Sequence, residues 1–181
     1  IDLERVEAVL ASALKEVADA PQRAQERAAE AAGMASRQFL PGAGGEWVER
    51  RQASLAAIRV RALELLAEAA SAAGDAGTAV AAAEQAIALA PLRESAYRRL
   101  MVALAGAGNR AAALRAYEDC RRLLAEELGV DPAPDTYDLY VRLLPAWSGS
   151  GRSVATWDRG GRVSRRSHRR PAAPRPCVPR P

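Results

Sequence analysis

The chain has 181 residues, of which 49% are hydrophobic but only 4% aromatic, and a formal net charge of +4. That length suits one domain plus an appendage, and abundant Ala and Arg in place of aromatic and β-branched residues argue for helices over strands. No uncharged apolar run reaches the ~18 residues that a membrane-spanning helix needs, so a membrane span is excluded.

The chain opens IDLERVE, without Met and with three acids in seven residues. This resembles neither a signal nor a transit peptide, and it reads as part of a longer, soluble, cytoplasmic protein. Leu3, Val6, Leu10, Leu14 and Val17 recur at helical spacing and predict a first helix. An Ala-rich second helix runs from about Pro21 to Arg37, and the loop FLPGAGGEW follows. A long helix starts near Trp47, with Leu55, Ile58, Ala62, Leu65, Leu66 and Ala69 on one stripe. Val60 and Leu63 give it a second apolar side, as expected of a helix packed between two neighbours. Further helices are predicted over 78–89, stopped by Pro91, then 94–106 and 110–128, separated by Gly108-Asn109. In CRRLLAEELGVDPAPDTYDLY, Gly129 supplies a left-handed stop and Pro132 prevents continuation. Pro134 suits the first turn of a last helix over 135–144, whose Tyr137, Tyr140, Val141 and Leu144 form an apolar stripe.

An internal repeat organises these helices. Gly74 and Gly108 lie 34 residues apart, each followed by a capping residue, Asp75 or Asn109. The same shift maps Leu66 onto Leu100, Ala70 onto Leu104, Ala79 onto Ala113, Ala83 onto Tyr117 and Ala86 onto Cys120. These are tetratricopeptide-like registers, in which small residues let two helix backbones approach. A more degenerate unit fits residues 5–40, with Ala24, Ala28 and Ala31 at the small positions. The fold class is therefore all-α: about three helix pairs plus a C-terminal helix that caps the last one. Cys120, at a position that usually takes Ala, is expected to be buried and inert. It lies far from Cys177, so a disulfide framework is not indicated and a reducing compartment is the simpler reading.

The charge is unevenly distributed. Nine of the 26 basic residues and one of the 22 acids lie in 146–181, a net of +8, leaving 17 and 21, a net of −4, in residues 1–145. The tail, ending RRSHRRPAAPRPCVPRP, is Pro- and Arg-rich and predicts a disordered segment. Two domains follow: 1–145, helical, and 146–181, a basic tail.

Chemistry is not indicated. The one His, His168, sits among tail arginines, so no nucleophile has a credible base. No Cys or His pair has zinc-site spacing, and the GAGG at 42–45 has neither a preceding strand nor a following Gly-Lys-Ser/Thr. Glu126-Glu127 reads as a solvated helix face. No enzyme activity, cofactor or metal is expected.

Three stretches then carry a resemblance: FLPG…EWVE, RALELLAEAASAAGD, and PLRESAYRRLMVALAGAGNRAAALRAYEDCRRLLAEELGVDPAPDTYDLYVRLL. Residues 1–145 resemble the bacterial transcriptional activator domain of SARP-type regulators, the antibiotic-regulatory-protein family. The ending ELGV-D-P-x-P-[DE]-T is the most specific feature, and it argues against the alternative, a generic tetratricopeptide scaffold or adaptor unrelated to transcription. The resemblance implies a transcription-activation module acting by protein–protein contacts. Its implied partners are the winged-helix DNA-binding domain of the parent protein, a second protomer as a homodimer, or RNA polymerase. That DNA-binding half is not in this chain. One departure is Ala133, where the family usually has a capping Ser; the last helix should start less firmly, by ~1 kcal/mol.

In such repeats the first helix of each pair lines a concave face. The residues so placed are Arg61, Glu64, Glu68 and Ser71, then Ser95, Arg98, Val102 and Ala105. A mixed-charge lining suits a partner peptide or helix better than a small apolar ligand.

Any DNA affinity of the chain is expected to come from tail Arg–phosphate contacts, without base readout. In a salt series on specific and scrambled duplexes, binding should fall with a log–log slope of about 0.9 per phosphate neutralised. Removing residues 146–181 should abolish it and leave helicity intact. Sequence-selective binding by 1–145 would contradict this division of labour.

Overall fold

The computed structural model describes residues 3–37, 44–144, 156–157 and 163–164. Among them are seven helices: α1 (Leu3–Glu16), α2 (Pro21–Ala35), α3 (Glu46–Ala73), α4 (Ala76–Leu89), α5 (Glu94–Gly106), α6 (Arg110–Leu128) and α7 (Pro134–Leu143). The predicted helices all form, with ends shifted by a residue or two. Each helix packs on the next in sequence, and α1 also meets α3, α3 meets α5, and α5 meets α7. That pattern is a stack of helical hairpins. The odd-numbered helices make one layer and the even-numbered helices the other.

Local chemistry explains the boundaries. Pro21 and Pro134 begin α2 and α7, where a missing N–H costs nothing. The 34-residue repeat is visible as a repeated set of hydrogen bonds. Asp75 N–H donates to Ala70 O at 2.9 Å and Asn109 N–H to Leu104 O at 2.8 Å. Gly74 N–H reaches Ser71 O at 3.2 Å and Gly108 N–H reaches Ala105 O at 3.0 Å. Both turns need a left-handed residue, and Gly74 (φ 80°) and Gly108 (φ 78°) supply it without a Cβ clash. Side-chain caps then start the following helices: Asp75 accepts from Thr78 N–H and Asn109 from Ala112 N–H. The Thr78 bonds, and then one from Gln25, hold the Asp75 carboxyl below its ordinary range. This cap is thus complete above the usual carboxylate pKa and weakens as acid protonates it.

The core is built from small residues. Ala24, Ala28 and Ala31 of α2 are fully buried, as are Ala79, Ala83 and Ala86 of α4. Their repeat partners Ala113, Tyr117 and Cys120 are buried as well. The main cluster joins α2 and α4 methyls to Val6 and Leu10 of α1 and to Ile58, Leu63 and Leu66 of α3. A second cluster joins Met101, Ala113, Ala116 and Tyr117 to Leu139, Tyr140 and Leu143 of α7. So α7 does cover the open face of the last hairpin, with Tyr140 stacked on Tyr117 at 4.1 Å between ring centroids.

The face that α7 uses differs from the expected stripe. Of Tyr137, Tyr140, Val141 and Leu144, only Tyr140 packs inward; Tyr137 is 52% and Val141 45% exposed. The inward stripe is Thr136, Leu139, Tyr140 and Leu143. Its first member is polar, and a reading of apolar periodicity passes over it.

In the second compact unit, 146–181, Thr156–Trp157 pairs antiparallel with Val163–Ser164. The expected disorder of this tail otherwise concerns residues outside those described, as do His168, Cys177 and most of the FLPGAGGEW loop.

Cys120 is a free thiol with 1% exposure, and burial pushes its pKa up to about 11. At neutral pH it is therefore almost wholly protonated and shielded. Labelling of Cys120 by a maleimide at pH 7–8 should be slow in the native chain and fast in denaturant, followed by mass spectrometry of its peptide. Rapid native labelling would contradict the repeat register.

Candidate partner-binding groove

The inner layer of α1, α3, α5 and α7 carries two adjoining depressions, with Arg99 of α5 lining both. The larger, about 560 Å³, has Glu7, Leu10, Ala11 and Leu14 of α1 on one side and Arg61, Glu64, Leu65 and Glu68 of α3 on the other. The smaller, about 320 Å³, lies between Ser95, Arg98 and Val102 of α5 and Asp135, Asp138, Leu139 and Arg142 of α7.

Six of the eight residues assigned to this face from the sequence line these depressions, and most of their charge is already committed. Glu64, only 12% exposed, accepts a forked pair from Arg93 at 2.8 Å each and a short bond from Ser95 Oγ. The Glu64 bond raises the Arg93 pKa above its already high ordinary value, so the guanidinium keeps its charge in this pair. Glu68 pairs with Arg99 at 2.7 Å. Ser71 lies in neither depression; its hydroxyl donates to Ala67 O of its own helix at 2.8 Å. Ala105, placed next to these residues, packs instead against the Met101 cluster.

Arg98 lines the smaller depression as assigned, but it is bonded there. Its guanidinium does not lie free in the groove but donates to Thr136 Oγ1 at 2.8 Å. The Thr136 hydroxyl, fully buried, donates in turn to Glu94 Oε2 at 2.7 Å, and Glu94 also accepts from Ala133 N–H at 2.9 Å. This chain of bonds fixes the rotation of α7 and explains why Thr136 faces inward. It also bears on Ala133. The residue provides no side-chain cap, and the start of α7 is held from α5 by Glu94. At the other end, Arg110 of α6 donates to the carbonyls of Leu143 and Leu144.

Two assigned residues remain available to a partner. Arg61 is exposed and makes no ion pair or hydrogen bond among the described residues, and Val102 is 43% exposed. The sequence assignment missed Glu7 and Leu14 of α1, the latter 64% exposed, and the α7 wall. Extending the first-helix rule to the outermost units would have found them. Among the described residues no cluster of His, Cys, Asp or Glu is arranged to hold a metal, and no helix is long and apolar enough to cross a membrane.

Replacing Thr136 by Val should leave both Arg98 and Glu94 short of a buried partner and cost ~1–3 kcal/mol. Arg61→Ala, at an exposed site, should stay within about 0.5 kcal/mol. Thermal and urea melts followed by circular dichroism check the contrast; equal stability of the two variants would show that the α5–α7 bonds do not hold α7.

The profile of the family described as "Bacterial transcriptional activator domain" matches residues 1–144. The regulatory protein AfsR of Streptomyces coelicolor is 38% identical over 109 residues, which is 60% of this chain and 11% of that protein. AfsR of Streptomyces griseus is 57% identical over 56 residues, 31% of this chain and 6% of the relative. The transcriptional regulatory protein MoaR1 of Mycobacterium tuberculosis is 39% identical over 100 residues, 55% of this chain and 30% of the relative. The chain thus spans less than a third of each of these relatives. Among solved structures, Mycobacterium tuberculosis EmbR in complex with a low-affinity phosphopeptide superposes with a TM-score of 0.70. It shares 26% identity, over 77% of this chain and 37% of the EmbR chain.

Proposed function

The chain belongs to the bacterial transcriptional activator domain family of SARP-type regulators, and we propose that it activates transcription by protein–protein contact through its inner groove. Its named relatives are regulatory proteins. The partner surface is one of three: the winged-helix DNA-binding domain of the parent regulator, a second protomer, or RNA polymerase. DNA is reached through that winged-helix domain, and only nonspecifically through the basic tail.

One observation carries the reading. The groove walls combine ion pairs, Glu64 with Arg93 and Glu68 with Arg99, with charges that make no bond among the described residues, Arg61, Glu7, Asp135, Asp138 and Arg142, and with the exposed apolar groups Leu14 and Val102. Internal ion pairs hold the walls in place before binding, so a partner meets a pre-organised surface and less ordering entropy is lost. The unpaired groups supply orientation and apolar contact. A helix or extended segment carrying both charge and an apolar side chain fits such a groove.

The test is a double variant, Arg61→Glu with Val102→Glu, in the chain tethered to an unrelated DNA-binding domain at a bacterial reporter promoter. Activation should fall about tenfold or more, the size of effect typical when a central side chain of an interface is replaced. The melting temperature should stay within ~2 °C, since both sites are exposed. Wild-type activation by the double variant would overturn the groove assignment. Absence of activation by the tethered wild-type chain would remove RNA polymerase as the partner.

A further inference from the structure

A third depression lies between α6, the turn that follows it, and α7, and it shares Asp138 with the smaller of the two groove depressions. It is an open cleft of about 500 Å³. Tyr117 forms its floor, and Pro132, Pro134 and Tyr137 its walls. The three tyrosines of this region form one array: Tyr117 stacks on Tyr140, and Tyr137 sits 6.4 Å from Tyr140 at a tilt of 38°. Tyr137 is the accessible member, 52% exposed, whereas Tyr117 is buried at 4%. A half-exposed tyrosine on α7 is left over by the packing, since Leu139, Tyr140 and Leu143 already cover the last hairpin.

The rim of the cleft is acidic. Asp131 and Asp138 stand there, both exposed, and neither makes a hydrogen bond or ion pair among the described residues. The lining cation, Arg121, is tied to Glu118 at 3.0 Å and is attracted more weakly by Asp131, which leaves Asp138 the less compensated of the two. The site thus offers a flat aromatic and proline surface with unbalanced negative charge beside it.

We propose that this cleft docks an extended, proline-rich segment of a partner protein that carries arginine next to its prolines. Proline rings lie flat on aromatic side chains, and a polyproline II backbone is extended before it binds, so ordering it costs little entropy. The rigid Pro132 and Pro134 walls keep the cleft open in the same way. Arginine beside the prolines answers Asp131 and Asp138, and its planar guanidinium pairs well with a carboxylate. A purely acidic peptide is disfavoured by the rim. This surface shares only Asp138 with the inner groove, and the docking proposed for it stands whether or not that groove binds a partner.

The probe is a fluorescein-labelled peptide, Pro-Ala-Ala-Pro-Arg repeated twice, a sequence that also stands at 171–175, so it is titrated both with the full chain and with a chain lacking 171–181, in which the tail cannot compete, and followed by fluorescence anisotropy. Saturable binding is expected, with Tyr137→Ala weakening it about tenfold or more. Asp131→Asn with Asp138→Asn should weaken binding of this peptide but not of a version with Gln for Arg. Arg61→Glu, in the other depression, should leave it unchanged. Circular dichroism melts of each variant should match the parent, because Tyr137, Asp131 and Asp138 are exposed. Absence of saturable binding, or binding indifferent to both Tyr137→Ala and the Asp pair, would overturn the proposal. Concentration-dependent dimerisation abolished by Tyr137→Ala, without peptide binding, would overturn it too and assign the face to a second copy of the chain.

Discussion

Alanines of α2 and α4 pack against both sides of α3. Ala28, Ala31, Ala62, Ala67, Ala83 and Ala86 are buried in one cluster, with a few larger residues such as Ile58, Leu63 and Leu66 between them. Short side chains let helix axes approach towards the lower end of the usual range of about 8–10 Å. Close approach fixes the stagger of each hairpin on the next, and that stagger places α1, α3, α5 and α7 side by side. The inner groove follows from this. Where the repeat carries Tyr117 in place of Ala83, the extra volume is taken up by α7, whose Tyr140 stacks on it. The last hairpin therefore ends the stack because its outer face is shaped for a short capping helix.

The inner layer is held by polar bonds between helices. Glu64 joins α3 to Arg93 and Ser95, Glu68 joins it to Arg99, and Glu94 with Arg98 joins α5 to Thr136 of α7. Exposed pairs of this kind add little stability, and Arg99 with Glu68 is one of them. The Glu94–Thr136–Arg98 chain differs because its central hydroxyl is fully buried, where water does not replace the bonds that it makes. These bonds make the groove walls less adjustable than a set of solvated charges would be. They also concentrate what a partner can recognise into a few positions, Arg61 and Glu7 at one end and Val102 with α7 at the other.

Sequence alone determined the elements whose signals are local. Pro21, Pro134, Asp75, Asn109, Gly74, Gly108 and Gly129 act on the backbone within a few residues, so helix ends and turns were legible. The 34-residue shift fixed which small positions are buried, Cys120 among them, because a repeat imposes the same crossing geometry on each unit. Family membership was legible from the same text, through ELGVDPAPDT. Tertiary structure decided what the polar side chains do. Arg98 belongs by periodicity to the concave face, yet it is drawn to Thr136, 38 residues away, and Glu94 reaches the same hydroxyl from 42 residues away. That pull rotates α7 so that Thr136 is buried and Tyr137 is left outside. Apolar periodicity describes only the partition between water and the interior. Hydrogen bonds between distant side chains depend on where the folded helices bring them, and only the assembled stack sets those distances.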